Sequence, residues 1–347
     1  MNIRRRDFVG GVLGSYFLGM PSIHQANAQP AGDWAKVLAD AKKEGMIQIY
    51  SVSATPPVVA VIKAFEKATG IRTEFLAVAK PNELRERVRV EQSAGRFVAD
   101  IMTTTVSQTT VINAQDHTIA PLPLVPNAVR VGDEFRTAQP ILPMATQLSG
   151  FMINTSLIKS GDEPRGWRDL IDPKWKGKIL MDDPRSIGGG YLMFYTLYEK
   201  LGREFVVKLA EQQPMLTNEP REAIRRVARG EKAILMPVVL ADTLELKGLP
   251  IKAVVPTEGC LYNQQGACLM KNAPHPNAAK AFLNYLLTDE AQGIFANAGS
   301  GMVSGEAVKS LKIVQPEVQE FVAAKLFGTI DPLKQNEMLA NARDVFK

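Results

Sequence analysis

Residues 46–78 read MIQIYSVSATPPVVAVIKAFEKATGIRTEFLAV. Met46-Ile47-Gln48-Ile49-Tyr50 has the composition of a strand. Residues 51–57 form a polar turn with proline at a helix start. Val58, Val61, Ile62 and Phe65 then fall at i, i+3, i+4 and i+7, one apolar helical face closed by Gly70. Residues 71–78 read as the next strand. Outward from this unit, residues 33–44 predict a helix ended by Gly45, and residues 81–93 an arginine-rich helix. Residues 99–102 predict a short strand running into Thr103-Thr104-Thr105. Strands alternating with helices predict an α/β fold with a mostly parallel sheet.

Ligands of such sheets bind beyond the carboxyl ends of the strands. Residues 51–55 and 103–107 are two such ends, both rich in hydroxyls and both leading into helices. Ser53, Thr55 and Thr104 are therefore candidate ligand contacts, with plain helix capping as the alternative. Further along, residues 179–181 predict a strand. Asp182-Asp183-Pro184-Arg185-Ser186-Ile187-Gly188-Gly189-Gly190 follows, then an aromatic helix over 191–201. A glycine run before a helix lets backbone approach a ligand closely, but no Gly-Lys-Ser/Thr ending marks a nucleotide loop. Asp182 and Asp183 are assigned to loop and capping roles. Residues 167–178 read as surface connection, 222–229 as a helix, 234–236 as a strand, and 277–295 as one amphipathic helix.

The 347 residues are enough for about two domains, and the 46% hydrophobic content excludes disorder throughout. Two cysteines exclude a disulfide scaffold and a four-cysteine zinc site, and three histidines make a histidine-rich metal centre hard to build. Met1 to Met20 gives Arg4-Arg5-Arg6 before an apolar, glycine-rich run, and Ala26-Asn27-Ala28 follows. That order predicts a signal peptide over residues 1–28, cleaved after Ala28. Arg5-Arg6-Asp7-Phe8 fits a twin-arginine signal, with a Sec signal as the alternative. Cleavage loses three positive charges and one negative, taking the net charge from +5 to +3, too weak to argue for nucleic acid. The expected location is the periplasm.

Several phrases in order resemble the periplasmic solute-binding proteins of ABC importers, in the clade that includes ferric-iron-binding proteins. They are Ile49-Tyr50-Ser51, Ala64-Phe65-Glu66-Lys67-Ala68-Thr69-Gly70-Ile71, Ala99-Asp100-Ile101, the stretch from Trp167 to Ile179, and Ala273-Pro274-His275-Pro276-Asn277-Ala278-Ala279-Lys280-Ala281-Phe282-Leu283. The resemblance implies a type II periplasmic binding fold: two α/β lobes, each a mixed, mostly parallel sheet flanked by helices, joined by crossing strands. Lobe 1 would comprise residues 29–148 and 262–310, and lobe 2 residues 149–261 and 311–347. The ligand would lie between them, and closure on it would be a hinge motion. It implies a monomer that does no chemistry, carries no cofactor and docks on a membrane permease.

The departures from the clade bear on the ligand. Its iron-binding members use two adjacent tyrosines with a histidine and a glutamate. Here Val238 and Val239 stand where the tyrosines should fall, Ala54 replaces the histidine, and Thr103 to Thr105 replace the glutamate. No metal ligand is therefore assigned, and the resemblance implies an organic anion: a carboxylate, phosphonate, sulfonate or phosphate ester. Arg185, Ser186, Gly188 and Gly189 match the place where relatives bind an anion at a helix start, and Asn218 matches a second anion contact. Arg185 either grips the anion with two parallel N–H bonds or pairs with Asp182 or Asp183. Tyr262 and Gln147 stand near the crossings. Tyr262 either walls the pocket or belongs to the core. Iron carried with an anion, a cation such as thiamine, and a receptor role before a sensor kinase are the alternatives, with an exported enzyme behind them. Cys260 and Cys268 flank a polar Asn263-Gln264-Gln265 turn, so a hairpin disulfide and two free thiols are both open. His117 reads as a surface residue and His275 as a turn residue.

Overall fold

Short parallel strands, each followed by a helix, make up most of the molecule. The computed structural model describes residues 31–52, 54–78, 81–246, 248–303 and 316–347. The predicted signal peptide and Ser53 lie outside the described residues. Helix α1 (Ala31–Glu44) leads into β1 (Met46–Ser51), α2 (Pro56–Thr69), β2 (Arg72–Ala77), α3 (Pro81–Ser93), β3 (Ile101–Thr105) and α4 (Val106–Gln115). The expected apolar face of α2 is buried through Val58, Val61, Ile62 and Phe65, and Gly70 ends the helix at φ +74°.

A 13-residue strand, β4 (Leu142–Asn154), follows. Next come β5 (Ile179–Asp182), α5 (Gly189–Leu201), α6 (Arg203–Glu211), β6 (Met215–Thr217), α7 (Pro220–Ala228) and β7 (Ile234–Val239). A 3-10 stretch, Leu240–Leu246, leads to β8 (Ile251–Val254) and the long β9 (Cys260–Leu269). The described chain closes with α8 (Pro276–Tyr285), α9 (Asp289–Asn297), α10 (Pro316–Val322), β10 (Leu326–Gly328) and α11 (Gln335–Val345).

The strands form one curled mixed sheet in the order β2-β1-β3-β9-β4-β7-β5-β6, with β10 on β9 and β8 on β4. β1 is parallel to β2 and β3, and β5 is parallel to β6 and β7. The two long strands are antiparallel to each other and stand between these parallel sets. Each set has its own core. Around β1, Phe65 meets Phe282 and Tyr285 edge-on at 5.2 and 5.5 Å. Around β5, Phe151 meets Trp167 at 5.6 Å. Full burial of one such ring is worth roughly 1.5–3 kcal/mol. At the crossing, Leu148, Leu240, Cys260 and Phe321 form a smaller cluster.

Three expectations are corrected. The stretch over 167–178 is not a mere surface connection: Trp167 is fully buried and its indole N–H donates to the Gly259 carbonyl at 3.0 Å. The helix over 277–295 is two helices, because the Thr288 hydroxyl accepts from Ala291 N–H and caps α9. The polar run Asn263-Gln264-Gln265 is not a turn but lies inside β9. Cys260 and Cys268 are thus eight residues apart along one strand, about 26 Å at ~3.3 Å per residue, far beyond disulfide reach. Both are buried free thiols.

Candidate ligand cleft

The carboxyl ends of the two parallel sets border a cleft. On one side, β1 and β3 end at Ser51 and Thr105. The Thr103 hydroxyl donates to Ser51 Oγ at 2.7 Å, and Thr105 accepts from Gln108 N–H as the cap of α4. Thr104 is buried and lines a small recess here with Ser51, Thr103 and Gln265. Thr55 stands at the N-terminus of α2 with its hydroxyl outside any capping bond.

Two adjoining cavities open from this edge. One, of about 410 Å³, is lined by Thr55, Gln147, Leu148, Asp242, Glu245 and Gln265, with residues 295 and 297–300 behind them. The other, of about 530 Å³, is lined by Thr55, Arg221, Ile224, Arg225, Asp242 and Glu245. Both span from the α2 turn to the far side of the sheet crossing. Asp242 is open to solvent yet crowded by protein, and this desolvation raises its carboxyl above the ordinary range. Arg221 pulls the other way and Glu245 adds to the rise. Arg225 is 3.7 Å from Glu222, whereas no described carboxylate lies within ion-pair distance of Arg221.

The other expected contacts gather at the ends of β5 and β6. Arg185 donates from Nε and a terminal nitrogen to the two oxygens of Asp183, at 2.9 and 2.8 Å, and its other terminal nitrogen reaches the Phe346 carbonyl at 3.4 Å. Its guanidinium is thus engaged by the protein, and holds the Asp183 carboxyl below the ordinary range. Ser186 Oγ donates to Asn218 Oδ1 at 3.3 Å. Asp182 Oδ2 accepts from Gly190 N–H at 2.7 Å, and burial raises the Asp182 carboxyl. Gly190 is needed by this packing: a Cβ there would stand 2.2 Å from the Asp182 carbonyl oxygen. Arg185, Ser186, Gly188, Gly189 and Asn218 form one cluster, but none lines the two cavities.

Gln147 and Tyr262 do not share a face. Gln147 pairs with Asn263 and Leu148 with Tyr262 across the long strands, so successive side chains alternate. Tyr262 packs beside Leu148, Leu240 and Phe321 and lines neither cavity; its surroundings are those of a core tyrosine. Sequence reasoning missed Arg221, Asp242, Glu245 and Gln265. The spacing of Arg221 and Arg225, one turn apart opposite the inward-facing Ile224, Val227 and Ala228, carried a signal for the first of them.

Among solved structures, the chain is similar to a Trichodesmium protein in complex with iron and citrate. The two are 20% identical over 87% of this chain and 99% of that one, with a TM-score of 0.71. It is likewise similar to the periplasmic binding protein AfuA of Actinobacillus pleuropneumoniae with fructose-6-phosphate bound: 22% identical, 87% and 98% covered, TM-score 0.63. These likenesses carry the type II periplasmic binding fold. Among curated proteins, an uncharacterized protein of Haemophilus influenzae is 33% identical over 161 residues, 44% of this chain and 46% of that protein. The phosphoglycerate transport regulatory protein PgtC of Salmonella typhimurium is 27% identical over 173 residues, 46% of this chain and 42% of PgtC. The matched span is thus less than half the length of these curated relatives. Among the described residues no helix is long and apolar enough to cross a membrane. Residues 99–322 match the model of the bacterial extracellular solute-binding proteins, and the chain belongs to that family.

Proposed function

We propose that this protein is the periplasmic substrate-binding component of an ABC importer, that it captures a small organic anion and that it delivers it to a membrane permease. In this reading residues 1–28 direct export and are cleaved after Ala28. Residues 29–148 and 262–310 act as one lobe, and residues 149–261 and 311–347 as the other. The protein works as a monomer without catalysis or cofactor. Thr55, Thr104 and Gln147 contact the ligand from one side. Ser186, Gly188, Gly189 and Asn218 meet it from the other when the lobes close.

One observation carries the anion: two helices that border the cavities, α2 and α7, begin without side-chain caps, whereas Thr105 caps α4 and the Asp182 carboxylate takes Gly190 N–H at the start of α5. Thr55 and Glu219 precede α2 and α7, and neither side chain accepts a capping bond. Backbone N–H groups left open at helix starts favour an anion. The valines at 238 and 239 offer no metal-ligating atom. The phosphoglycerate in PgtC's name and the sugar phosphate in the AfuA structure agree with a phosphate ester. PgtC's description as a transport regulatory protein favours a second reading, in which the same site presents ligand to a sensor.

The test is a thermal-shift screen of residues 29–347, refolded to strip any co-purified ligand, against carboxylates, phosphonates, phosphate esters, thiamine and ferric citrate. A ligand at about 100 times its Kd adds ~2.7 kcal/mol of stability. A rise with organic anions is expected. A rise with ferric iron or thiamine alone would refute the reading.

A further inference from the structure

The larger cavity, bounded by the α2 turn, α7 and Leu240–Leu246, holds two arginines and two carboxylates in about 530 Å³. Arg185 is not available to it: Asp183 occupies its guanidinium in a two-bond grip and the Phe346 carbonyl takes a third position. Arg225 lies 3.7 Å from Glu222, a carboxylate that Arg229 also holds at 2.9 Å. Arg221 is exposed, lines the cavity and has no ion pair among the described residues. We propose that Arg221 is the arginine that grips the ligand's anionic group, and that Asp242 and Glu245 select a ligand with hydrogen-bond donors beside that group. This rests on the reading of the ligand as an organic anion and names its class: an anion bearing hydroxyl or ammonium groups.

The charges argue for the second half. A bare anion entering this cavity meets Arg221 and two carboxylates together, so attraction and repulsion largely offset. A ligand that also donates hydrogen bonds turns the carboxylates into partners. A site built to accept such bonds disfavours analogues that lack them, because its acceptors are then left without partners once the ligand has excluded water from the cavity.

Calorimetric titration of residues 29–347 with inorganic phosphate, fructose 6-phosphate and phosphoethanolamine tests this on wild type, Arg221→Gln, Arg185→Gln and Asp242→Asn. Circular dichroism melts check that each variant folds. One of the two donor-bearing probes should bind at least about tenfold tighter than phosphate, and which one does separates hydroxyls from ammonium. Arg221→Gln should weaken that probe by roughly 10- to 100-fold, the worth of a charge-assisted contact. Arg185→Gln should change it less than about threefold. Asp242→Asn should narrow the gap to phosphate. Tight binding by Arg221→Gln, with loss in Arg185→Gln, would overturn the assignment while leaving the anion reading intact. Phosphate binding as tightly as both other probes would overturn the selection by Asp242 and Glu245. Binding of none of these probes, nor of any anion in the thermal-shift screen, would refute the anion reading and Arg221 with it.

Discussion

Alanine placed in turn at the three glycines before α5 should produce a steep gradient of damage. At Gly188 a Cβ would come no closer than 3.6 Å to Asp182 Oδ2, an ordinary contact. At Gly189 it would meet the same oxygen at 3.1 Å and Pro237 at 3.5 Å, and the carboxylate can turn aside. At Gly190 it would stand 2.2 Å from the Asp182 carbonyl oxygen, 2.6 Å from its carbon and 2.8 Å from the Asp183 carbonyl carbon. These are backbone atoms of β5 and the turn after it, so the helix must move instead. Yet α5 is buried through Tyr191, Leu192, Met193 and Phe194. Overpacking of this kind costs about 1–3 kcal/mol. The displacement also breaks the 2.7 Å bond from Gly190 N–H to Asp182, worth about 1.5–3 kcal/mol when the acceptor is charged. Gly190→Ala should therefore lose about 3–5 kcal/mol. At roughly 2 °C per kcal/mol for a chain of this size, Tm should fall by ~6–10 °C. Gly188→Ala should stay within ~2 °C of wild type, with Gly189→Ala between. Thermal melts followed by circular dichroism decide it. A Gly190→Ala melt matching wild type would refute the packing argument. Equal losses at all three positions would show that flexibility, not contact with Asp182, is what the glycines supply.

The neighbouring carboxylates should move stability with pH in opposite directions. Arg185 lowers the folded-state pKa of Asp183, so its contribution is present above the ordinary value of 3.8 and is lost as pH falls through the folded value. Burial raises Asp182, so its contribution is present below 3.8 and is lost as pH rises through its folded value. Urea titrations between about pH 3 and 6 should show Asp183→Asn flattening the acid loss and Asp182→Asn flattening the decline on the rising side. Cys260 and Cys268, both pushed up to about 12 by burial, should ignore a thiol reagent in the native protein and react together on unfolding. Reaction of either thiol under native conditions would contradict their burial. Asp100 is fully buried and accepts from Gln48 N–H, His275 N–H and His275 Nδ1. Asp100→Ala leaves those donors unpaired and should cost about 3 kcal/mol or more in a denaturant titration; an unchanged midpoint would show that water replaces the carboxylate.

Local signals made most of the fold legible in the sequence, and each miss has an identifiable cause. The helices and short parallel strands announce themselves through 3.6-residue spacing and compact apolar runs, as in α2 and β1. Helices α8 and α9 merged in the sequence because Leu283, Leu286 and Leu287 continue the apolar face of α8. The break was nonetheless written in Thr288-Asp289-Glu290, a capping threonine with acidic residues in the first turn. Strand β9 was harder. Its centre is polar, and Gly266 sits within it because the Leu142 carbonyl of β4 would lie 2.5 Å from a Cβ. Gln264 spends its side-chain amide on the Phe135 carbonyl. A polar, glycine-bearing run is the signature of a turn unless one knows that another strand passes alongside.

The site was less legible because it is assembled from pairings that no local pattern encodes. Thr55 and Gln147 were reachable from the ends of predicted elements, and both line the cleft. Whether a residue near a crossing faces a cavity depends on strand parity, and parity follows from the register of β4 on β9. That register pairs Gln147 with Asn263, so Tyr262, one residue away, goes to the other face and into the apolar cluster at the crossing. The state of the charges was equally hidden. Arg185 was the conspicuous cation beside a glycine turn, but Asp183 two residues earlier reaches it first, because the turn folds the two side chains together. Arg221 sits in a run of arginines that sequence alone reads as a solvated face; the position of α7 across from Thr55 brings it and Arg225 to the cavity, and the carboxylates near Arg225 and Arg226 set it apart from them. A cation's availability to a ligand is thus set by the carboxylates that the fold leaves within reach of it. For this chain that makes the pairing of Arg185, and not its place in a family pattern, the stronger guide to which arginine binds.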